Sequence, residues 1–542
     1  MNTNKTFMLA ALAVASQAYS PSALAQSMTD AVRFGSSDII GTARYRSMAG
    51  AFGALGGDPT CMSDNPAGLA IYRGTNLASI TPHLGFTSTE TKGSVKETGK
   101  DDTFSTSNFS IVFSFMPEDS ERMVNFNVGF GLERRQQTIR KMNAVIDNPS
   151  GDMSGYLFEQ ANTYLDNSKR KAEYLGWDEA WSNSNVPLLS LMGYESFAIH
   201  DDPTDEYHVI APAFDQVFQQ TNMLERTRND HYNISGAFNF GDQFYVGATV
   251  HITDFNSMIE HCFSEDSQRD MNGDFITYDN RIETKGSGIG INLGLLWKPT
   301  EQWRIGAAVH TPTWMEMTEF NDALMEAYNG IYENACIYAE QHGLMDPENW
   351  SEFNDEIEYK YQSPWEYQFS TAYVFGTRAI LSLEYDLTDF KSMRFSPKYS
   401  GDYVEKRYYD DMNQTSRQYV RLQHTIKGGL EVRVLPQLSL RAGYAYKSSP
   451  YEKNALYSDI HPEDITFVYR TASKLNYNTL DDQHYVTFGA GWRGKNWTFD
   501  LSCMSHSMKE YYSPYTCDYA DSDILDFNTH TLNWDLTVGY RF

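Results

Sequence analysis

Beyond its first 25 residues, the chain lacks any apolar run of about 18 residues, which a membrane-spanning helix needs. Its mean hydropathy is −0.51. Two classes of protein remain: a secreted soluble protein, and an outer-membrane β-barrel, in which alternation hides the lipid-facing residues from an average. The 36 tyrosines and 31 phenylalanines favour the barrel, because aromatic girdles mark both membrane interfaces of such proteins.

The chain is poor in positive charge, with 43 Lys and Arg against 71 Asp and Glu, and a net charge of −28. A protein that binds nucleic acid neutralises phosphates with basic side chains, so we expect no nucleic-acid partner. The acidic excess suits long solvated loops, and it suits a generic acidic exported protein equally well. Charge therefore does not choose between the two remaining classes.

Cysteine is scarce and irregularly spaced. No CxxC pair or zinc-binding spacing is present, and an odd count leaves at least one thiol free in an exported protein. Cys503 and Cys517 are close enough in sequence to pair across one loop; the others are Cys61, Cys262 and Cys336. The chain also lacks a GxSxG motif and a P-loop lysine. We expect no catalytic residues, no metal and no cofactor, and hence no enzyme.

The first residues have the pattern of an export signal. Lys5 gives a positive start, Phe7–Ala15 is a short apolar stretch, and Ala23-Leu24-Ala25 is a small-x-small cleavage site. We therefore predict a signal peptide over residues 1–25 and a mature chain that begins at Gln26.

Gly41–Ala70 differs from everything that follows it. The segment is crowded with glycine, alanine and other small residues, it lacks strict alternation, and it closes on Asn65-Pro66-Ala67-Gly68. Asparagine bonds readily to neighbouring backbone groups, and proline fixes φ and removes a donor, so such a turn can hold a segment against a wall. We predict that residues 26–74 form a compact plug inside the structure that the rest of the chain builds.

Fourteen later segments alternate between apolar and polar residues or end at turn signals. In the third, Val124, Phe126 and Val128 share one face, and Asn125 and Asn127 share the other. Because successive side chains of a strand point to opposite faces, one face of each strand is apolar. The predicted strands are 75–90, 104–117, 122–139, 225–240, 244–260, 280–298, 302–318, 355–375, 378–391, 416–434, 437–447, 482–493, 496–511 and 526–542.

The strands and their connections favour a membrane barrel over a soluble sandwich, which would also alternate. Many strands exceed ten residues, their number is even, and the last ends on the aromatic Phe542. Short turns occupy every second junction, as periplasmic turns should, and the other junctions are long. We predict a transmembrane antiparallel β-barrel over residues 75–542, with outer insertions at about 140–224 and 319–354. Helical spacing within the insertions covers 153–174, 211–225 and 319–342.

Four stretches carry recognisable motifs: Asn65-Pro66-Ala67-Gly68-Leu69 after the glycine-rich segment, Ser363–Tyr373, Leu438–Tyr446 followed by Ser449-Pro450, and His484–Trp492. Together they resemble the FadL family of outer-membrane transporters for hydrophobic compounds, such as long-chain fatty acids and aromatic hydrocarbons. The chain departs from the family at Ser370, where glycine is usual, and at Gly56-Gly57-Asp58-Pro59, where an acidic pair is common.

The resemblance implies a fourteen-stranded barrel in the outer membrane of a Gram-negative cell, with the plug as a movable hatch. It also implies passive transport, in which apolar molecules are captured at the outer loops, held at an internal site and released laterally through a gap in the wall. The expected partners are hydrophobic small molecules, such as fatty acids or detergent-like ligands, and outer-membrane lipid. We expect a monomer.

The site residues follow from the hatch and the gap. The hatch motif is Asn65, Pro66, Ala67 and Gly68. Phe52 and Leu55 are candidates for contact with an apolar ligand, or they only anchor the plug. Gly129 and Gly131 of the third strand are candidates for a bulge that opens the wall, or they only make room for the plug.

A second hypothesis is that this FadL-like barrel is a scaffold or shuttle in the secretion or attachment of surface proteins, a role that large outer insertions would suit. The two hypotheses differ in what fills the lumen. Transport predicts an elongated and mostly apolar pocket. A lumen packed solid by side chains, with a hydrophobic patch on the outer loops, would favour the scaffold.

Overall fold

The computed structural model describes residues 28–117, 122–181, 186–211, 217–267, 275–328, 355–399, 403–452, 477–515 and 523–542. The predicted signal peptide, residues 329–354 of the second insertion, and Cys336 and Cys517 lie outside these ranges. Cys503 is a free thiol, as are Cys61 and Cys262.

Twenty strands form within these ranges, and eighteen of them belong to one sheet, while β4 and β5 form a separate hairpin. Their bounds are β1 Leu77–Lys92, β2 Lys96–Phe115, β3 Met123–Asp147, β4 His200–Asp202, β5 Asp205–Ile210, β6 Val217–Phe240, β7 Phe244–Ser267, β8 Phe275–Trp297, β9 Trp303–His310, β10 Trp314–Tyr328, β11 Asp355–Gln362, β12 Trp365–Phe375, β13 Ala379–Asp389, β14 Arg394–Pro397, β15 Leu422–Leu435, β16 Leu438–Lys447, β17 Tyr477–Leu480, β18 Gln483–Arg493, β19 Trp497–Ser513 and β20 Leu525–Arg541.

The large sheet closes on itself, because β1 pairs with β2 on one side and with β20 on the other. Four wall strands are built from two consecutive segments: β9 with β10, β11 with β12, β13 with β14, and β17 with β18. Two of these breaks fall at Pro312 and Pro364, since proline cannot donate to the ladder. The wall therefore has 14 antiparallel strands, and the predicted barrel is confirmed.

The barrel is apolar outside and polar inside, the reverse of a soluble protein. The outward side chains of β7 from Phe244 to Ile252 and of β8 from Ile289 to Trp297 are apolar and exposed. Each band is about nine residues long, which is the length of a tilted strand that crosses the hydrocarbon core. Above Ile289 the outward face of β8 changes to charged positions such as Lys285. The barrel therefore spans the membrane through this band.

An aromatic girdle marks the end of the band where the short turns lie, which we call the turn end. Such girdles sit at the membrane–water interface. Its exposed members include Phe115, Phe240, Phe244, Trp297, Trp303, Phe375, Trp492, Trp497, Tyr540 and Phe542. The opposite end, which we call the loop end, carries the long insertions.

Helices are few and lie off the wall. They are α1 Met28–Gly35, α2 Ala43–Ser47, α3 Met153–Ser168, α4 Asp178–Trp181, α5 Leu188–Glu195 and α6 Tyr403–Tyr419, with 3-10 turns at Pro59–Met62, Pro66–Ile71, Ala172–Gly176 and Phe390–Ser392. Within the described ranges, none of the helices is both long enough and apolar enough to cross a membrane.

The wall strands continue past the membrane at the loop end, which corrects the predicted insertions. β3 runs to Asp147 and β6 begins at Val217, so the first insertion occupies 148–216 rather than 140–224. The helical predictions for 217–225 and 319–328 are wrong, because these residues belong to β6 and β10. Each residue of 319–328 pairs with β8, and this cross-strand pairing outweighs the local helical spacing.

The first insertion folds into a cap over the loop end. The helical prediction for 153–174 is confirmed over Met153–Ser168, and a separate 3-10 turn follows at Ala172–Gly176. Its buried Leu157 and Tyr164 pack with Leu189 of α5, and the same cluster includes Phe263 of β7 and Tyr278 of β8. The cap and the inward faces of the extended strands therefore share one apolar core.

Leu293→Arg should destabilise the folded barrel, because Leu293 is 52% exposed in the middle of the outward band. An arginine at the membrane midplane costs about 2–4 kcal/mol, and the cost falls to about 0–1 kcal/mol near the interface. Ser287→Arg, on the same face of β8 above the band, is the matched control. Urea unfolding in lipid vesicles measures both variants, and equal stability would show that the band does not lie in the hydrocarbon core.

Candidate functional site

Residues 28–76, which we call the inner segment, lie inside the barrel and are largely buried. The Ala43 amide donates to Thr537 Oγ1 of β20 at 2.7 Å, and the Gly53 amide donates to Glu384 Oε2 of β13 at 2.7 Å. Because β13 and β20 belong to different sides of the wall, the segment crosses the lumen rather than following one strand.

Asn65 joins two parts of the inner segment to the wall. Its Nδ2 donates to the carbonyl oxygen of Gly53 at 2.7 Å and to that of Leu295 in β8 at 3.1 Å. Its Oδ1 accepts from the Ala67 amide at 3.2 Å and so caps the 3-10 turn that Pro66 begins. Asn65, Pro66, Ala67 and Gly68 are all buried. The turn needs a side chain that both donates and accepts, and asparagine supplies one.

Two wall glycines make room for this turn. A Cβ atom on Gly294 of β8 would lie 2.0 Å from Asn65 Oδ1, and one on Gly247 of β7 would lie 2.3 Å from the Pro66 carbonyl carbon. Both distances are far inside van der Waals contact. Alanine at either position would therefore push the turn away from the wall.

Amide side chains of the wall bind the irregular backbone of the inner segment. Asn127 of β3 donates to the Leu69 carbonyl oxygen at 2.6 Å, and Asn125 donates to the Ala70 carbonyl oxygen at 3.0 Å. Both carbonyl groups lie near the end of a short 3-10 turn, where the backbone of the turn alone supplies few donors. The polar inner face of the barrel thus provides the hydrogen bonds that water would otherwise supply.

An ion pair fixes α2 to the wall. Arg46 Nη1 lies 2.7 Å from Asp535 Oδ1 of β20, and His83 of β1 lies 2.8 Å from the same oxygen. The Arg46 and Asp535 side chains are at most 2% exposed. Removing one partner of a buried pair costs about 3–5 kcal/mol, because the other charge is left uncompensated. This cluster therefore anchors the inner segment.

The candidate ligand contacts Phe52 and Leu55 are both buried in the core of the inner segment. The Phe52 ring packs 5.7 Å from the ring of Tyr45, and the Arg44 guanidinium lies 5.2 Å from its centroid. Leu55 lines a cavity at the turn end. Phe52 and Leu55 are absent from the lining of the central lumenal cavity described below, which other residues form.

The candidate gap residues Gly129 and Gly131 lie in an intact ladder. Gly129 pairs with β2 and β6 on either side, and Gly131 does the same. An added Cβ atom would lie 2.7 Å from Met62 Sδ at Gly129 and 2.6 Å from Met62 Cε at Gly131. The two glycines thus face Met62 of the inner segment and leave room for its side chain.

The ladder is interrupted further along the same strand, at what we call the β2–β3 seam, residues 100–107 of β2 and 134–140 of β3. Pairing between the two strands ends at Asn108 with Glu133, and the register of β3 against β6 shifts between Arg134 and Gln136. The run Glu133–Gln137 contains no apolar residue. This loss of alternation is the sequence signal that could have located the bulge.

Side chains and the inner segment bridge the seam. Ser105 Oγ donates to Gln137 Oε1 at 2.9 Å. The Asp38 amide donates to the Arg135 carbonyl oxygen at 2.8 Å, and Asp38 Oδ2 accepts from the Gln137 amide at 3.3 Å. Burial raises the pKa of the Asp38 carboxyl group, and the nearby Lys447 ammonium opposes that rise. Asp38, through its amide and its carboxylate, thus gives the β3 backbone two of the partners that β2 would give in a complete ladder.

A cavity of about 170 Å³ lies in the lumen beside α1 and adjoins the seam. Residues 136–140, from both faces of β3, line it. Apolar side chains contribute much of the remaining lining, among them Val32, Ile40, Met223, Ile259, Met504 and Met508. The sequence signalled none of these residues as ligand contacts, because they lie on different strands and on the inner segment.

Most cations around the lumenal cavity are already paired. Arg33 lies 2.6 Å from Asp30, and Arg140 lies 2.5 Å from Glu225. Lys447 differs, because its Nζ donates to a backbone carbonyl of the inner segment at 2.6 Å. No carboxylate of the described residues is within salt-bridge distance of it. Asp38 and Glu366 interact with the Lys447 ammonium only at longer range.

Solved structures of three proteins align with most of this chain. A Pseudomonas aeruginosa FadL homologue is 13% identical, with 94% of this chain and 99% of that chain covered, at a TM-score of 0.54. The P. putida toluene transporter TodX is 12% identical, with 94% of this chain and 99% of that chain covered. The Ralstonia pickettii toluene transporter TbuX is 13% identical, with 93% of this chain and 99% of that chain covered. The TM-score is 0.46 in both comparisons. No family model and no curated protein sequence matches the chain. The likeness to the first structure confirms the fold, and identity this low supports no more than the fold.

Gly294→Ala should loosen the inner segment, because the added methyl group meets Asn65 Oδ1. Gly236→Ala on β6 is the matched control, since nothing lies within 4 Å of its added Cβ atom. Hydrogen exchange of peptides from residues 50–72 should be at least tenfold faster in Gly294→Ala than in the wild type, and unchanged in Gly236→Ala. Equal exchange in both variants would show that the turn does not depend on close contact with β8.

Proposed function

We propose that the protein carries hydrophobic molecules, long-chain fatty acids or similar apolar compounds, passively across the outer membrane. The observation that carries this proposal is the lumenal cavity that adjoins the interrupted β2–β3 seam. The fold shared with a FadL homologue supports it. An internal site beside an incomplete wall suits a solute that leaves sideways into the bilayer.

Sideways release is favourable for an apolar solute because of where the seam leads. Transfer of apolar surface out of water gains about 25 cal/mol per Å², and the apolar outward band of the wall reaches the lower edge of the seam. Phe104 of β2 is 77% exposed on the outward face beside the seam, and Phe109 and Phe130 are exposed just below it. A solute that passes the seam therefore moves from the cavity onto apolar side chains.

The size of the cavity restricts what it holds in this conformation. A cavity of about 150 Å³ accommodates benzene, and this one measures about 170 Å³. A single aromatic ring or a short acyl segment fits. A long acyl chain needs additional volume, which must come from movement of the inner segment or passage of the chain through the seam. Lys447 would meet the carboxylate of an acyl ligand.

The inner segment is suited to act as a hatch because it is bonded to both strands of the seam: Asp38 bonds to β3, and the Gly41 carbonyl oxygen accepts from Ser107 Oγ of β2 at 3.2 Å. Asp38 bonds to β3 at Arg135 and Gln137, where the ladder with β2 is absent. If the segment shifts, both backbone groups lose their partners, and the seam loses a bridge from the lumen side. A ligand that displaces Asp38 thus opens the route it would take.

The cap offers the first apolar contacts at the loop end. In its described part, Trp177 and Tyr207 are the exposed large apolar side chains, at 48% and 45%. Two separate aromatic side chains suffice to touch a small solute, but they do not form the contiguous patch of several hundred Å² that marks a protein-binding surface. The cap therefore gives no support to the scaffold hypothesis.

A disulfide across the seam should block transport. We expect that Ser105→Cys combined with Gln137→Cys lowers the initial rate of fatty-acid uptake at least tenfold under oxidising conditions, since the two native side chains are 2.9 Å apart across the seam. Reduction of the same protein should restore the rate. The measurement is uptake of radiolabelled oleate by cells in which the variant replaces the wild-type protein.

The two single cysteine variants are the matched controls and should transport at the wild-type rate with and without reductant. A cross-linked double variant that takes up oleate as fast as the same protein does after reduction of its disulfide would exclude the seam as the exit. Cells that lack the protein and take up oleate normally would exclude fatty acid as its substrate.

A further inference from the structure

The turn end of the lumen contains an arginine-lined basin that the proposed transport route does not use. Two adjoining cavities of about 130 and 270 Å³ form it. They share the lining residues Arg44, Gly57, Tyr72, Ile380, Arg493 and Arg541. Seven arginines line the basin: Arg44, Arg73, Arg304, Arg433, Arg441, Arg493 and Arg541. This concentration of positive charge stands out in a chain of net charge −28.

The carboxylates of the basin are already committed to other groups. Glu431 accepts from Arg441 Nε at 2.7 Å and from Arg44 Nε at 3.2 Å, and Asp500 accepts from Arg441 Nη1 at 2.6 Å. Asp58, the third carboxylate in the lining, accepts from the Thr42 hydroxyl at 2.8 Å. Arg44 and Arg441 are thus paired with carboxylates of the basin, and the other arginines of the wall are not.

Four wall arginines lack a carboxylate partner among the described residues. Arg304 of β9 donates from Nη1 to the Leu55 carbonyl oxygen at 2.6 Å. Its buried Nε has no hydrogen-bond partner among the residues that the structure describes. The guanidinium groups of Arg433, Arg493 and Arg541 form no hydrogen bond or ion pair with any residue that the structure describes. Four like charges that face one basin repel one another, and a bound anion relieves that repulsion.

The basin is reached from water rather than from lipid. Arg433, Arg493 and Arg541 lie on the inward faces of β15, β18 and β20, at their turn ends, in register with buried residues such as Glu431 and Gly491. In an outer-membrane barrel the short turns face the periplasm. A soluble periplasmic anion can therefore enter, whereas a lipid headgroup outside the wall cannot reach these side chains.

We propose that the basin is a binding site for a small phosphate-type dianion. The guanidinium group presents a planar fork of donors that matches phosphate oxygens bidentately. A dianion can engage two or more of the four arginines that lack a carboxylate partner among the described residues, and a monocarboxylate neutralises only one charge. The inner segment contributes Arg44, Gly57 and Tyr72 to the same basin, so the bound anion lies between that segment and the wall. The site is independent of what crosses the lumen.

Isothermal titration calorimetry of the full chain in detergent tests the proposal, with inorganic phosphate at pH 8 and constant ionic strength. The wild type should bind phosphate saturably at one site and at least tenfold more tightly than acetate. Arg493→Gln combined with Arg541→Gln should weaken phosphate binding at least tenfold. Arg226→Gln is the matched control, because Arg226 is exposed on the outward face of β6 above the membrane band, and it should bind as the wild type does.

Either of two results would overturn the site. One is wild-type protein that binds phosphate no more tightly than acetate, an outcome that needs no variant to fold. The other is a folded double variant with wild-type affinity, where heat-dependent migration on gels confirms an intact barrel. Arg433→Gln, at the exposed rim of the basin, provides a milder second variant that should weaken binding at least threefold.

Discussion

In the hydrocarbon core of a bilayer no water is available to the backbone, so every amide and carbonyl group must find a partner within the protein. The closed ladder from β1 to β20 meets this requirement around the wall except at the β2–β3 seam. Closure determines the rest of the architecture. Once one face of each strand is apolar and faces lipid, the other face is polar and faces the lumen, where the inner segment is buried against it.

The inner segment and the polar face of the wall satisfy each other. Asn125 and Asn127 donate to carbonyl groups of the segment, Asn65 donates back to the carbonyl group of Leu295, and Gly294 leaves the space that Asn65 occupies. Neither partner would be stable alone in this environment, because each would leave buried polar groups unpaired. The same requirement explains why glycines and amides recur on the inward face.

The β2–β3 seam is the place where the wall does not meet the requirement by itself. There the inner segment supplies the missing partners through Asp38, and the lumenal cavity reaches the wall. A strand edge satisfied by a separate segment is weaker than one satisfied by a continuous ladder, because a single shift of that segment releases it. The stability of the wall at the seam and the proposed route through it thus depend on the same few hydrogen bonds.

The barrel itself could be read from the sequence, because alternation such as that of Val124–Val128 is a local property of a strand. A strand lies within each of the fourteen predicted ranges, although residues 416–419 of the tenth belong to α6. The turn at Asn65–Gly68 was also recognisable from local chemistry. The tertiary structure alone decided how far β6 and β10 extend, since cross-strand pairing outweighs local spacing, and where the seam lies. It alone also assembled Arg304, Arg433, Arg493 and Arg541, which belong to four strands far apart in the chain. Only closure of the sheet brings their inward faces to one basin.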